Sequence, residues 1–107
     1  MRGKHLLLAA AIASAMPIAH GKAQEIGQPS RGLESARRLC AECHAVQKEQ
    51  ARSPNDTAPR FQAIASTPGM TSIALSVALN TSHRSMPNIM LAAEEQADLI
   101  AYILSLK

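Results

Sequence analysis

The stretch Cys40-Ala41-Glu42-Cys43-His44 is the part of this 107-residue sequence that decides the fold. Two residues separate its cysteines, so that their thiols lie roughly one helical turn apart. Thiols at this spacing can form thioethers with the two vinyl groups of a haem, while the adjacent histidine reaches the iron. The pattern predicts one covalently bound haem c, attached through Cys40 and Cys43, with His44 as the proximal iron ligand.

Three other interpretations of this pentapeptide fit the sequence less well. A thioredoxin-like redox pair belongs in a βαβ unit, which the sequence does not predict. A zinc site could combine both cysteines with His44 and His83, but Cys43 and His44 are adjacent, whereas zinc fingers separate their ligand pairs. A chance occurrence in a structural helix would leave free thiols, which are uncommon in exported proteins.

The first 23 residues have the features of a secretory signal peptide. Basic residues precede an apolar run from Leu6 to Met16, which ends at Pro17. Small residues predict cleavage after Ala23, with cleavage after Gly21 as the alternative. The run is shorter than the about 20 residues of a spanning helix, which argues against a membrane anchor. We therefore expect residues 1–23 to be removed on export to the periplasm and residues 24–107 to form one domain.

The formal net charge of +3 belongs to the N-terminal segment. Of the 11 basic residues, Arg2, Lys4 and Lys22 precede residue 24, which leaves 8 basic against 8 acidic side chains in the expected mature domain. No basic patch with neighbouring aromatics indicates a nucleic-acid partner. The chain has no Trp, one Phe and one Tyr, and so small a core needs additional stabilisation, which a large buried cofactor can provide.

The apolar periodicity predicts an all-α domain of about three to five helices. The first helix is expected from Gly32 to Cys43 with Ser30 as its cap. A short helix over Phe61–Ala65, a third over Thr71–Leu79 and a last one over Glu94–Leu106 follow. The apolar positions of the third helix that share one face are Ile73, Ala74, Val77 and Ala78.

The second axial ligand must come from elsewhere in the mature domain, and the candidates are Met70, Met86, Met90 and His83. A methionine on a helix more often fills the core than binds a metal. Met86 differs because Pro87 follows it, which excludes the helical conformation and stiffens an extended loop. We expect Met86 to be the ligand, with His83 as the alternative because imidazole also binds iron well.

The sequence resembles the class I c-type cytochromes, the small single-haem bacterial type, over nearly all of residues 24–107. The matching features are Gly32 eight residues before Cys40, the CAECH group, Ala58-Pro59-Arg60-Phe61, Met86-Pro87, and Asp98-Leu99-Ile100-Ala101-Tyr102. The resemblance implies a small cytochrome c-like fold in which the first and last helices cross at Gly32 and Tyr102. It also implies that the Pro59 carbonyl accepts a hydrogen bond from His44 Nδ1 and so orients the ring, which places Pro59 in the cofactor site.

The sequence departs from the family at the helix crossing and near the haem propionates. Ala36 stands four residues before Cys40, where the family often has a bulky aromatic, which predicts a thinner crossing. No Trp is present to donate to a propionate. Arg52, Arg60 or Arg84 could replace it through charge-assisted hydrogen bonds, although an arginine of this kind is more often a solvated surface charge.

These features predict an electron-transfer protein rather than an enzyme, because His44 and Met86 would fill both axial positions of the iron. The expected role is that of a soluble, monomeric periplasmic carrier without stable membrane insertion. Its expected donor and acceptor are redox proteins, such as a periplasmic dehydrogenase, oxidase or reductase. Two alternatives stay open: a haem subunit of a dehydrogenase or oxidase complex, and a gas-binding or peroxidatic haem protein with a labile sixth ligand.

Overall fold

The computed structural model describes residues 27–83 and 85–107, so the predicted signal peptide and its cleavage site lie outside the described residues. Its helices are α1 (Pro29–Leu39), α2 (Phe61–Ala65), α3 (Ser72–Leu79) and α4 (Ala93–Leu104). The described residues form no strand, and none of their helices is long and apolar enough to span a bilayer. The predicted all-α class is confirmed.

Helices α1 and α4 cross in close contact, as the resemblance implies. A Cβ atom at Gly32 would overlap the main chain of Asp98 and the Cβ of Tyr102, so only glycine permits this approach. Ala36, on the same helix, has no exposed surface at all. Small residues on α1 therefore let the two helices come together, and the one aromatic side chain at the described crossing, Tyr102, comes from α4.

Helix α1 begins and ends earlier than the sequence predicts. Pro29 occupies the first turn of the helix, where the backbone N–H groups have no helical partner, so its missing N–H costs no hydrogen bond. Ser30 therefore lies inside the helix, and the prediction that it is the cap is wrong. The N–H of Gln28 is instead bound by Asp98 Oδ1 on α4, at 2.6 Å. This partner is distant in sequence, so local capping signals could not reveal it.

Helix α3 contacts the rest of the molecule along one edge. The Thr71 hydroxyl caps it by accepting from the Ala74 N–H at 3.1 Å. Leu75 is buried, whereas Ile73 is 75% and Val77 60% exposed, so the predicted apolar face is not the buried one. Periodicity shows which residues share a face, but on a helix that is apolar all round it cannot show which face is covered.

The hydrophobic core lies between α4, α2 and the segment that follows the CAECH pentapeptide. Leu99 and Val46 are its largest fully buried side chains, and Phe61 of α2 packs in the same cluster. The Tyr102 hydroxyl donates to the Val46 carbonyl oxygen at 2.5 Å. This bond ties the last helix to the residues directly after the predicted proximal ligand.

Candidate haem site

The CAECH pentapeptide forms a tight turn at the end of α1. The Cys40 N–H donates to the Ala36 carbonyl at 2.9 Å, which continues the helical pattern. The N–H groups of Cys43 and His44 both donate to the Cys40 carbonyl, at 3.2 and 2.9 Å. The pentapeptide is therefore a rigid continuation of α1, and its geometry follows from local backbone hydrogen bonds.

The two thiols of this turn are not joined in a disulfide, and their environments differ. Cys40 is 8% exposed, whereas Cys43 is half-buried. Burial raises the pKa of the Cys40 thiol from its ordinary 9.0 to about 11, and the charge of Glu95 adds to the effect. Both thiols remain free for thioether bonds at the spacing that a haem requires.

His44 lies just beyond the turn, and its ring is oriented from two sides. Its Nδ1 atom is 2.7 Å from the Pro59 carbonyl oxygen, and because a carbonyl only accepts, Nδ1 carries the proton. The ring also packs against Phe61, with centroids 5.3 Å apart. In the neutral imidazole the lone pair is then on Nε2, the atom that a metal would take.

The backbone around His44 is held by the long connection between α1 and α2. The Ala45 N–H donates to the hydroxyl of Ser53 at 3.0 Å, and Ser53 is itself only 9% exposed. The Phe61 N–H donates to the Ala45 carbonyl at 3.0 Å. Because these bonds join the residue after His44 to the start of α2, they hold Pro59 opposite the His44 ring.

Met86 lies in the connection between α3 and α4 and is half-buried. Its N–H donates to the His83 carbonyl at 3.3 Å, and no hydrogen bond among the described residues links it to the CAECH turn. The other candidate methionines lie in different settings, because Met70 packs against the core and Met90 is 87% exposed. Met86 thus stays a predicted ligand on the grounds of its partial burial and its position before Pro87.

The arginines predicted near the propionates differ in how they are held. Arg60 is half-buried and its Nη1 donates to the Gln50 carbonyl in a long contact of 3.4 Å. Arg52 is exposed, and Arg84 lies outside the described residues. Of the two arginines that the structure describes, Arg60 is the one that lies next to Pro59 and is partly buried, and its role toward a propionate stays a prediction.

Sequence reasoning missed the polar contacts that join α1 to α4. Asp98 is 5% exposed and accepts from Arg31 Nε at 2.8 Å as well as from the Gln28 N–H. These two hydrogen bonds hold the pKa of the Asp98 carboxyl below its ordinary 3.8. On the same side Glu95 accepts from the Ser35 hydroxyl at 2.9 Å and pairs with the Arg38 guanidinium. The only signal in the sequence was an acidic residue, Asp98, within an otherwise apolar face of α4.

A large cavity lies away from this site. Its volume is about 1090 Å³, and the residues that line it include Ser72 and Ile73 of α3 and Ala97, Ile100 and Leu104 of α4. None of the predicted haem-binding residues is among its described lining residues.

The described residues fit a covalently bound haem, since two free thiols and an oriented imidazole meet at the end of one helix. The chain is also 35% identical, over 107 residues, to a protein named cytochrome c-552 from Bradyrhizobium diazoefficiens; the match covers 100% of this chain and 95% of that protein. The chain belongs to the c-type cytochromes. No family model matches it, and no solved structure gives a significant match.

As a c-type cytochrome, the protein carries covalently bound haem c, and this prediction of the cofactor is confirmed. The helices described above form a small cytochrome c-like fold, as expected from the sequence. The cytochrome combines a tightly bonded turn at His44 with a sparsely bonded connection at Met86.

Proposed function

We propose that this cytochrome is a periplasmic electron carrier in which Cys40 and Cys43 attach the haem and His44 and Met86 bind its iron. The observation that carries the proposal is the hydrogen bond from His44 Nδ1 to the Pro59 carbonyl, 2.7 Å long. It leaves Nε2 of the same ring as the donor atom, in a histidine directly after the second cysteine.

Haem c supplies a one-electron couple between ferric and ferrous iron. The residues of the chain that bind the iron determine whether the haem can only transfer electrons or can also react with oxygen or peroxide. If His44 and Met86 both bind the iron, they would leave no coordination site for oxygen or peroxide, which favours a carrier over an enzyme. The Met86 thioether favours the ferrous state and so raises the potential, while the apolar residues around Phe61 and Leu99 act in the same direction by lowering the local dielectric.

The Pro59 carbonyl has a separate task at the proximal side. A hydrogen bond to Nδ1–H makes the imidazole a stronger donor at Nε2 and prevents the ring from rotating. The bonds from Ala45 to Ser53 and from Phe61 to Ala45 hold that carbonyl in place. A ligand that does not move between oxidation states suits repeated electron transfer, because little protein has to rearrange at each step.

The partners are proposed to be a donor and an acceptor protein that bind briefly through a small interface. Residues 24–107 carry 8 basic and 8 acidic side chains, and residues 61–93, which include Met86, contain Arg84 as their one Lys, Arg, Asp or Glu. Because the formal charges of residues 24–107 balance, long-range electrostatic steering by a net charge is weak. We expect the rate of electron exchange with a partner to change little with ionic strength, in contrast to carriers with strongly charged faces.

Visible spectroscopy of the purified holoprotein tests the ligation. Methionine sulfur bound to ferric haem has a weak absorption band in the far red, which bis-histidine haem lacks. We expect this band in the oxidised protein and no spectral change when carbon monoxide is added to the reduced protein. A rapid shift of the absorption spectrum on addition of carbon monoxide would instead support the gas-binding or peroxidatic alternative.

Export to the periplasm is tested separately, by cell fractionation and N-terminal sequencing of the mature protein.

A further inference from the structure

Helix α4 has apolar residues on two sides. One side faces the core and carries Leu99 and Ile103, both buried. The other side borders the large cavity, and its lining residues are small or aliphatic at spacings of three and four: Ala93, Ala97, Ala101 and Leu104. A surface helix usually has polar residues opposite its core face. The second apolar side of α4 is therefore a surface suited to contact with another apolar surface.

Helix α3 presents apolar residues beside the same cavity, which is a groove between the two helices. Ile73 lines the groove, and Val77 lies one turn further along the same side of α3. These two side chains are 75% and 60% exposed, whereas Leu75 of the same helix is buried in the core. Ile73 and Val77 together form a projecting α3 ridge next to the groove.

The groove is large, and several of its polar residues are already bonded within the protein. Arg31 pairs with Asp98 at 2.8 Å, and the Ser76 hydroxyl accepts from the Gln96 amide at 2.9 Å. The volume of the groove, about 1090 Å³, lies above the range of about 300–1,000 Å³ that is typical of pockets for small molecules. The groove therefore has room for side chains from another protein surface.

The spacing of the α3 ridge matches that of the small residues on α4. Ile73 and Val77 are four residues apart, as are Ala97 and Ala101, which form an α4 recess. Ridges of residues four apart on one helix pack into the grooves between such residues on another. Because one molecule carries both the ridge and the recess on the same face, a twofold axis between two copies would form both contacts at once.

The charge of the domain is compatible with a second copy as the occupant. Residues 24–107 carry 8 basic and 8 acidic side chains, so no net charge keeps two copies apart. Helix α3 contains no charged residue, so packing it against another molecule buries no charge of its own. A strongly charged partner would gain no charge complementarity from this ridge.

We propose that two copies of this protein associate through the groove between α3 and α4, with the α3 ridge of each copy packed into the α4 recess of the other. Helix α3 has eight residues and is about 12 Å long, so the contact is smaller than the about 1,600 Å² of a standard interface. The dimer is therefore weak and reversible. Dilute protein is the monomer that the sequence predicts, and the dimer forms at high concentration.

The position of the groove leaves the proposed electron transfer independent of this association. None of the predicted haem-binding residues is among the described residues that line the groove. A dimer formed here carries two haem groups and buries none of the residues that are proposed to bind them. The proposal holds whichever residue is the second ligand of the iron.

Analytical ultracentrifugation of the mature holoprotein between about 0.01 and 1 mM tests the association. The average mass of the wild type should rise with concentration from the monomer toward the dimer and should fall again on dilution. Ile73→Glu and Val77→Glu should each raise the dissociation constant about tenfold or more, because they bury a carboxylate without a partner. Ala63→Glu, the matched control, adds the same charge at an exposed position of α2 outside the groove and should associate like the wild type.

Nuclear magnetic resonance of the reduced holoprotein locates the contact. The amide resonances that should shift with concentration are those of Ile73, Val77, Ala97 and Ala101. The resonances of the CAECH turn should stay unchanged. Circular dichroism of the variants checks their folding, which we expect to be unaffected because Ile73 and Val77 are exposed.

Three results would overturn the proposal. A wild type that stays monomeric at the highest concentration would show that a different protein, or the chain before Gly27, covers the groove. Association that both glutamate variants leave unchanged would place the contact elsewhere. A dimer that persists on dilution would indicate that helices are exchanged between copies. Each of these results leaves the proposed function intact, because none of them depends on the ligands of the iron.

Discussion

The crossing of α1 with α4 and the connection from α3 to α4 are held in opposite ways. At the crossing, Asp98 accepts hydrogen bonds from Gln28 and Arg31, and Glu95 accepts from Ser35 and pairs with Arg38. In the connection, residues 82–91 form one backbone–backbone hydrogen bond among the residues described. The cytochrome thus joins its CAECH turn to a densely bonded frame and leaves its predicted methionine ligand on a loosely held segment.

The two predicted axial ligands are therefore held in position in different ways. His44 is oriented by the chain itself, because the Pro59 carbonyl and the Phe61 ring both contact its imidazole. Met86 is only half-buried, and no side-chain hydrogen bond or ring contact among the described residues orients it, so we expect its position to depend on the proposed bond to iron. Changes on the histidine side should therefore disturb the whole site, and changes on the methionine side should alter ligation but spare the fold.

The largest effect is expected from His44→Ala. Loss of the proximal bond should abolish the low-spin spectrum and leave a poorly folded protein, because the small core relies on the bound cofactor. Glu42→Gln is the matched control, since Glu42 lies in the same turn but is exposed. Visible spectra and circular dichroism of both variants provide the measurement, and an unchanged His44→Ala spectrum would contradict the assignment of the proximal ligand.

The next effect is expected from Met86→Ala, which should remove the far-red band and lower the potential without unfolding the helices. The reduced variant should bind carbon monoxide, unless His83 occupies the iron, in which case the haem stays low-spin. Met90→Ala is the control, because the Met90 side chain is 87% exposed and packs little against the domain. If Met86→Ala keeps both the band and the potential while Met90→Ala loses them, the ligand assignment is wrong.

A smaller effect, on stability, is expected from Asp98→Asn, which tests the hydrogen bonds between α4 and the start of α1. The pKa of Asp98 is lowered in the folded state, so its stabilising effect is complete above the ordinary value of 3.8 and is lost as the pH falls through the folded pKa. The variant should melt at a lower temperature than the wild type at neutral pH, and the difference should shrink in acid. Glu94→Gln, an exposed change on the same helix, is the control.

Thermal melting followed at a series of pH values measures this difference. If the difference in melting temperature between Asp98→Asn and the wild type stays constant down to strong acid, the carboxylate charge is not the cause of the lost stability. If Glu94→Gln lowers the melting temperature as much as Asp98→Asn does, the loss of stability comes from a general change in α4 and not from the contacts of Asp98 to Gln28 and Arg31.

The smallest effect is expected from Tyr102→Phe, which removes the hydrogen bond to the Val46 carbonyl but keeps the ring at the helix crossing. An unmet buried acceptor costs about 1–3 kcal/mol, so the free energy of unfolding should fall by that amount. The visible spectrum should be unchanged because no ligand is touched. Urea unfolding checks this value, with Glu94→Gln as a control at an exposed position of the same helix; a Tyr102→Phe variant as stable as the wild type would contradict it.

The amino-acid sequence alone determined the features of this protein that depend on neighbouring residues. The spacing of Cys40, Cys43 and His44 is local, because all three lie within a single turn of backbone. The spacing of apolar residues along α1 and α4 also depends only on near neighbours in the sequence. The existence of these helices and the all-α class could therefore be predicted. The covalent cofactor follows from the same local pattern.

Tertiary structure decided the features that depend on residues far apart in the chain. The N-cap of α1 is Gln28, whose N–H is bound by Asp98 of α4, and not Ser30. The exposed face of α3 carries Ile73 and Val77. Both outcomes depend on how α4 packs. Periodicity and capping preferences report only the energies of near neighbours, whereas burial and hydrogen bonding across a helix crossing exist only once the chain has folded. The sequence therefore predicted which residues bind the cofactor, and the packing of α1 against α4 decided how the helix that leads into the CAECH turn is held.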